Sequence, residues 1–70
     1  MTIEFKTDLD GVFLLARNNF DVTHENFMKG DTLQVKQVQQ MRPPFSDMST
    51  VTLIDGRTLT ITTECFEVLT

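Results

Sequence analysis

The stretch Ser49 to Thr62, STVTLIDGRTLTIT, constrains this chain more than any other, because apolar residues and threonines alternate on both sides of Asp55-Gly56. A period of two is the mark of strands with one buried face, and an Asp-Gly pair between two such runs is a strong short-range hairpin signal. Val51 and Leu53 share one face of their strand, as do Leu59 and Ile61 of theirs. A two-residue loop would set Leu53 across from Thr58 and mix the faces, so the loop must hold an odd number of residues. The expectation is a three-residue loop with Gly56 in the left-handed conformation, forming a bulge. That geometry sets Val51 opposite Leu59 on the inner face and Thr52 opposite Thr58 on the outer. The six threonines from Thr50 to Thr63 then mostly form the solvated face, where each cross-strand pair contributes roughly 0.2 to 1 kcal/mol.

The rest of the chain continues the pattern. Eleven threonines, six phenylalanines and six valines stand against a single alanine, which favours strands over helices. DTLQVKQV reads as a strand with Leu33 and Val35 inward, opened by a turn at Lys29-Gly30-Asp31. Between it and the hairpin lies QQMRPPFSDMS, a loop, because Pro43 and Pro44 remove two backbone donors. TIEFK and GVFLLA, flanking TDLDG, are expected to pair as a hairpin turning near Asp10-Gly11. RNNFDVTHENF shows no sustained period and reads as a long excursion, a kind of segment that is often functional. TTECFEVLT suits a 3₁₀ turn around Glu64 and a closing strand carrying Phe66 and Val68. There are no repeats, low-complexity tracts or linkers, so the chain reads as one domain from Met1 to Thr70.

Seventy residues bury only about 60% of the surface the unfolded chain exposes. The apolar fraction is 40%, and no apolar run approaches the roughly 20 residues of a membrane span. The N-terminal MTIEFKTDLD lacks the basic flank and apolar stretch of a secretion signal, so the expected address is the cytoplasm. Cys65 is the single cysteine, which excludes an internal disulfide and a multi-cysteine zinc site. Ten acidic against six basic residues give a net charge of -4, the wrong sign for holding a phosphate backbone nonspecifically. The basic groups Lys6, Arg17, Lys29, Lys36, Arg42 and Arg57 are also scattered along the chain.

The order of elements, together with the segment Glu25 to Val35 (ENFMKGDTLQV) and the stretch Asp55 to Leu69, resembles an SH3-type barrel. Phe27, Lys29, Gly30, Asp31, Leu33 and Val35 are similar to that family's motif at the end of its RT loop, and Asp55 to Leu69 is similar to its DGREGLFPSNYVELL. The resemblance implies an all-β domain of five to six strands, an SH3-like barrel; an OB-type barrel is the rival. SH3 domains hold proline-rich peptides on an aromatic ridge, and here the resemblance fails. The chain has no tryptophan and no tyrosine, Thr62 and Cys65 fall where the family has its proline and tyrosine, and FLLARNNF does not reproduce the ALYDY pattern. Polyproline binding is therefore not expected.

Little in the sequence points to chemistry. The single histidine, His24, lies far from Cys65 and reads as a solvated loop residue, Cys65 reads as a small thiol in the last turn, and Gly11, Gly30 and Gly56 suit turns rather than a phosphate loop. DLDG lacks the spacing of a calcium loop. No cofactor or metal is implied, and an enzyme is not expected. The candidate partner-binding residues are Phe20 and His24 in the first excursion, and Met41, Arg42, Pro43, Pro44, Phe45 and Met48 in the second. Methionines and a phenylalanine around an arginine on a stiff loop have the composition of a binding hot spot. The alternative is that Phe45 and one methionine fold down to cap the barrel. If the SH3-type mapping holds, Phe20 and Phe45 flank one side and share a patch.

The functional expectation is a free-standing, non-enzymatic module or inhibitor that docks on a partner protein through these two loops, with Arg42 and Phe45 as anchors. Small phage or mobile-element proteins acting on host enzymes in the host cytoplasm are one setting that fits. The alternatives are an acidic mimic of nucleic acid, β-augmentation at a strand edge including homodimer formation, and a small nucleic-acid-binding barrel.

Overall fold

The computed structural model describes residues 1–16 and 20–69. It is all-β, with seven strands in one antiparallel sheet: β1 (Thr2–Phe5), β2 (Leu9–Leu15), β3 (Val22–Phe27), β4 (Thr32–Gln40), β5 (Met48–Leu53), β6 (Thr58–Thr62) and β7 (Phe66–Val68). Their order across the sheet is β3-β2-β6-β5-β4-β1-β7. A 3₁₀ turn at Thr63–Cys65 links β6 to β7, as the sequence pattern predicts, and no helix among the described residues is long and apolar enough to cross a membrane.

The β5-β6 hairpin has the predicted register, with Val51 opposite Leu59 and Thr52 opposite Thr58. The Leu53 N–H donates to the Arg57 carbonyl (2.7 Å) and the Gly56 N–H donates to the Leu53 carbonyl (3.0 Å), leaving three residues in the loop. Gly56 has φ 95°, the left-handed conformation that closes such a loop. Burial alternates strictly along β5, so Ser49, Val51 and Leu53 point inward. The core comprises Ile3, Phe5, Leu14, Phe27, Val35, Val51, Leu53, Leu59, Ile61 and Phe66, and burying each such side chain stabilises the fold by roughly 1.5 to 3 kcal/mol. The Phe5 and Phe27 rings stack at 4.4 Å. Among the described residues Ser49 is the buried polar one, and its hydroxyl lies 2.7 Å from that of Thr63.

The turn before β4 is tied to the start of the chain. Asp31 accepts from the Met28 N–H through Oδ2 (2.9 Å), Asp8 accepts from the Lys29 N–H (2.7 Å), and the Gly30 N–H donates to the Phe5 carbonyl (2.8 Å).

Two expectations are corrected. β1 does not form a hairpin with β2; it lies between β4 and β7, with Ile3 opposite both Leu33 and Val68. Asp10-Gly11 falls inside β2, where the pairing register with β3 shifts between Leu9 and Val12. Gly11 takes φ 64° there and donates its N–H to Asn26 Oδ1 at 2.8 Å, so turn chemistry is used for a bulge instead of a reversal. The second correction concerns the first excursion, of which Arg17, Asn18 and Asn19 lie outside the described residues. Val22 to Phe27 is a strand paired with β2, which raises the count from the expected five or six to seven. Its burial pattern, exposed at every position except Phe27, explains why no apolar period marks it.

Candidate functional site

The segment 41–47 projects from the end of the β4-β5 hairpin, whose last pair is Gln40 with Ser49. It is built from hydrogen-bonded turns. Met41 N–H donates to the Met48 carbonyl (3.0 Å), Phe45 N–H to the Arg42 carbonyl (2.9 Å), and Met48 N–H to the Phe45 carbonyl (3.0 Å). The Pro43-Pro44 bond is cis. Gln40 Nε2 donates to the Ser46 carbonyl, and the Thr63 N–H donates to the Asp47 carbonyl (2.8 Å), so the loop is fastened to β4 and to the 3₁₀ turn.

Of the two alternatives for this loop, capping requires Phe45 to be buried, and Phe45 is 59% exposed. Arg42, Pro43 and Pro44 are exposed beside it, and Met41 is 37% exposed. Met48 is the half-buried member, its Sδ 3.8 Å from the Thr62 hydroxyl. Arg42 makes no ion pair among the described residues; the one present joins Arg57 to Asp55.

The first excursion contributes differently from expectation. Phe20 is 87% exposed, but it does not share a patch with Phe45. Leu15, at the end of β2, pairs with Thr58 at the start of β6, while Met48, beside the other loop, pairs with Thr62 at the end of β6. The register therefore carries the β2-β3 tip and the 41–47 loop to opposite ends of β6. His24 is a strand residue, not a loop residue, and its ring lies 4.5 Å from that of Phe13 on the facing strand.

That aromatic pair belongs to a surface the sequence reading missed. Phe13 is 60% exposed, and Leu15 and Val22, which pair with each other, are also exposed. The outward positions continue as Thr58, Thr60 and Thr62 on β6, Thr52, Thr50 and Met48 on β5, and Gln37 and Gln39 on β4. None of these paired outward positions carries a carboxylate, lysine or arginine; Lys36 sits at the margin, in the bulge where the β4 register shifts. A groove of about 490 Å³ opens where β2 and β6 separate beyond Leu15 and Thr58, lined mainly by Val12, Phe13, Leu15, Leu59, Thr60 and Ile61. The signal was present in GVFLLA, since a strand cannot turn Val12, Phe13, Leu14 and Leu15 all to one side.

The carboxyl of Asp55 is held below its ordinary range first by the Arg57 backbone N–H and, against a desolvation contribution of opposite sign, by the Arg57 guanidinium. No group of three or more histidine, cysteine or acidic side chains among the described residues is placed to hold a metal. Cys65 is half-buried in the 3₁₀ turn. No protein-family model matches the chain, and no match was found among curated proteins or solved structures.

Proposed function

We propose that this chain is a non-enzymatic protein-binding module, an SH3-type barrel whose docking surface is the Met41 to Met48 segment. The SH3-type reading rests on the order of elements: the turn at Gly30-Asp31, the Asp55-Gly56 hairpin, the 3₁₀ turn and the closing strand. The observation that carries the binding reading is the exposure of Phe45, at 59%, on a loop held at both ends by backbone hydrogen bonds. An apolar ring displayed on a preorganised loop loses little conformational entropy on docking, and Arg42 beside it adds five donors for acceptors on the partner. The partner is a protein offering an apolar pocket with carboxylate or carbonyl groups at its rim. Phe20 stands at the other end of β6 and is not part of this surface. The test is capture of partners from a host lysate at low and high salt, with Phe45→Ala as control. A partner kept at high salt and lost with Phe45→Ala supports the proposal; one lost at high salt and kept by the variant rejects it in favour of an acidic surface imitating nucleic acid.

A further inference from the structure

The sheet has two edges, and they are managed differently. β7 is three residues long, and a short edge strand offers little to a passing chain. β3 is six residues long, VTHENF, with no proline, lysine or glycine, and its own register carries no bulge residue, the extra residue lying in β2. Natural sheets normally blunt such an edge. β3 is not blunted.

We infer that β3 pairs with β3 of a second copy of this chain, antiparallel about a two-fold axis passing through His24. Backbone direction narrows the register first. The Ala16 N–H donates to the Asp21 carbonyl (2.9 Å), and ladder bonds alternate along an antiparallel pair. Thr23 and Glu25 therefore turn their backbone groups toward β2, and Val22, His24 and Asn26 turn theirs to the open edge. A two-fold axis normal to the sheet must pair open-edge residues with open-edge residues, which also keeps the outward faces of both copies on one side.

Charge then selects among the remaining registers. Centring on Thr23 sets Asp21 against Glu25 of the second copy, twice. Centring on Glu25 sets that carboxylate against itself. Like charges directly opposite destabilise a strand pair, and each chain is already at -4. Centring on Val22 or on Asn26 avoids this but extends the pairing beyond the strand, onto Phe20 and Asp21 in the first case and onto Met28 in the second. Centring on His24 pairs Val22 with Asn26, Thr23 with Glu25 and His24 with His24, five consecutive strand positions without an acid–acid contact. The exposed Phe13, Leu15, Val22 and His24 of the two copies then form one belt across the joined sheet.

Only a residue on the axis can reach its own counterpart, and this makes the register testable. In that position the two Cα atoms lie about 5.5 Å apart, inside the roughly 4.4 to 6.8 Å that a disulfide spans. The experiment is sedimentation equilibrium of the unaltered protein from about 5 to 500 μM, followed by mild oxidation of His24→Cys and Thr23→Cys, each in a Cys65→Ser background. The expected result is a concentration-dependent dimer, a disulfide-linked dimer with His24→Cys and none with Thr23→Cys, and a dissociation constant raised at least about tenfold by His24→Glu. A monomer at every concentration overturns the inference. So does a dimer that His24→Glu leaves unchanged, or one in which His24→Cys forms no cross-link or links no better than Thr23→Cys.

Discussion

Asp55 receives two hydrogen bonds from Arg57, one from the backbone N–H to Oδ1 at 3.0 Å and one from Nε to Oδ2 at 2.7 Å. The carboxylate thus closes the three-residue loop on itself, and its pKa is lowered as a result. A depressed folded-state value means that the contribution is fully present above the ordinary aspartate range, near 3.8, and is lost as pH falls through the lower folded value. The melting temperature of Asp55→Ala should therefore lie below that of the parent at pH 7, with the gap narrowing below pH 4. Thermal denaturation at pH 7, 5, 4 and 3 checks this, and a gap that widens in acid contradicts it.

Leu59 faces Val51 at the centre of the sheet and is fully buried, whereas Phe45 is mostly exposed. Leu59→Ala should lose about 2 to 5 kcal/mol by emptying a packed site. Phe45→Ala should stay within about 0.5 kcal/mol of the parent, as surface changes do. Urea denaturation of the two variants separates them, and this ordering also ensures that any loss of binding in Phe45→Ala is not a loss of fold.

At Gly11 a side chain would meet no atom within 4 Å, yet the residue has φ 64°. Any penalty for Gly11→Ala is then conformational alone and should be about 1 to 2 kcal/mol, with Gly11→Asn milder because asparagine tolerates this region. Equal losses for the two variants in equilibrium unfolding would show that the bulge relaxes around either side chain.

The hydroxyl pair of Ser49 and Thr63 ties β5 to the 3₁₀ turn at 2.7 Å. Ser49→Ala should lose about 1 kcal/mol, and in a double-mutant cycle with Thr63→Val the two changes should be less than additive. Full additivity would mean that the contact contributes nothing.

What the sequence made legible follows from where burial is one-sided. In β5 and β6, alternation writes the inward set and the Asp55-Gly56 loop fixes the register, so Val51 could be placed opposite Leu59 from the residues alone. β3 has a single buried residue, Phe27, and a strand exposed on both faces leaves no apolar period to detect. Asp10-Gly11 misled because a left-handed glycine serves a bulge as readily as a turn. The loop 41–47 was legible as a loop through its prolines, but nothing in its residues marks whether Phe45 turns to solvent, as it does, or folds onto the barrel. The outward belt of Phe13, Leu15, Val22 and His24 depends on a pairing between segments that composition does not connect.

The position of β1 between β4 and β7 has a consequence for the order in which the molecule is assembled. The three strands β4, β5 and β6 follow one another along the chain and lie side by side, so they can pair through short connections. β1 closes over much longer stretches: Ile3 pairs with Leu33 about thirty residues on, and with Val68 more than sixty residues on. One side of β1 therefore stays uncovered until β7 docks beside it. Such long-range closure puts folding toward the slow, millisecond-to-second end of the range for small domains.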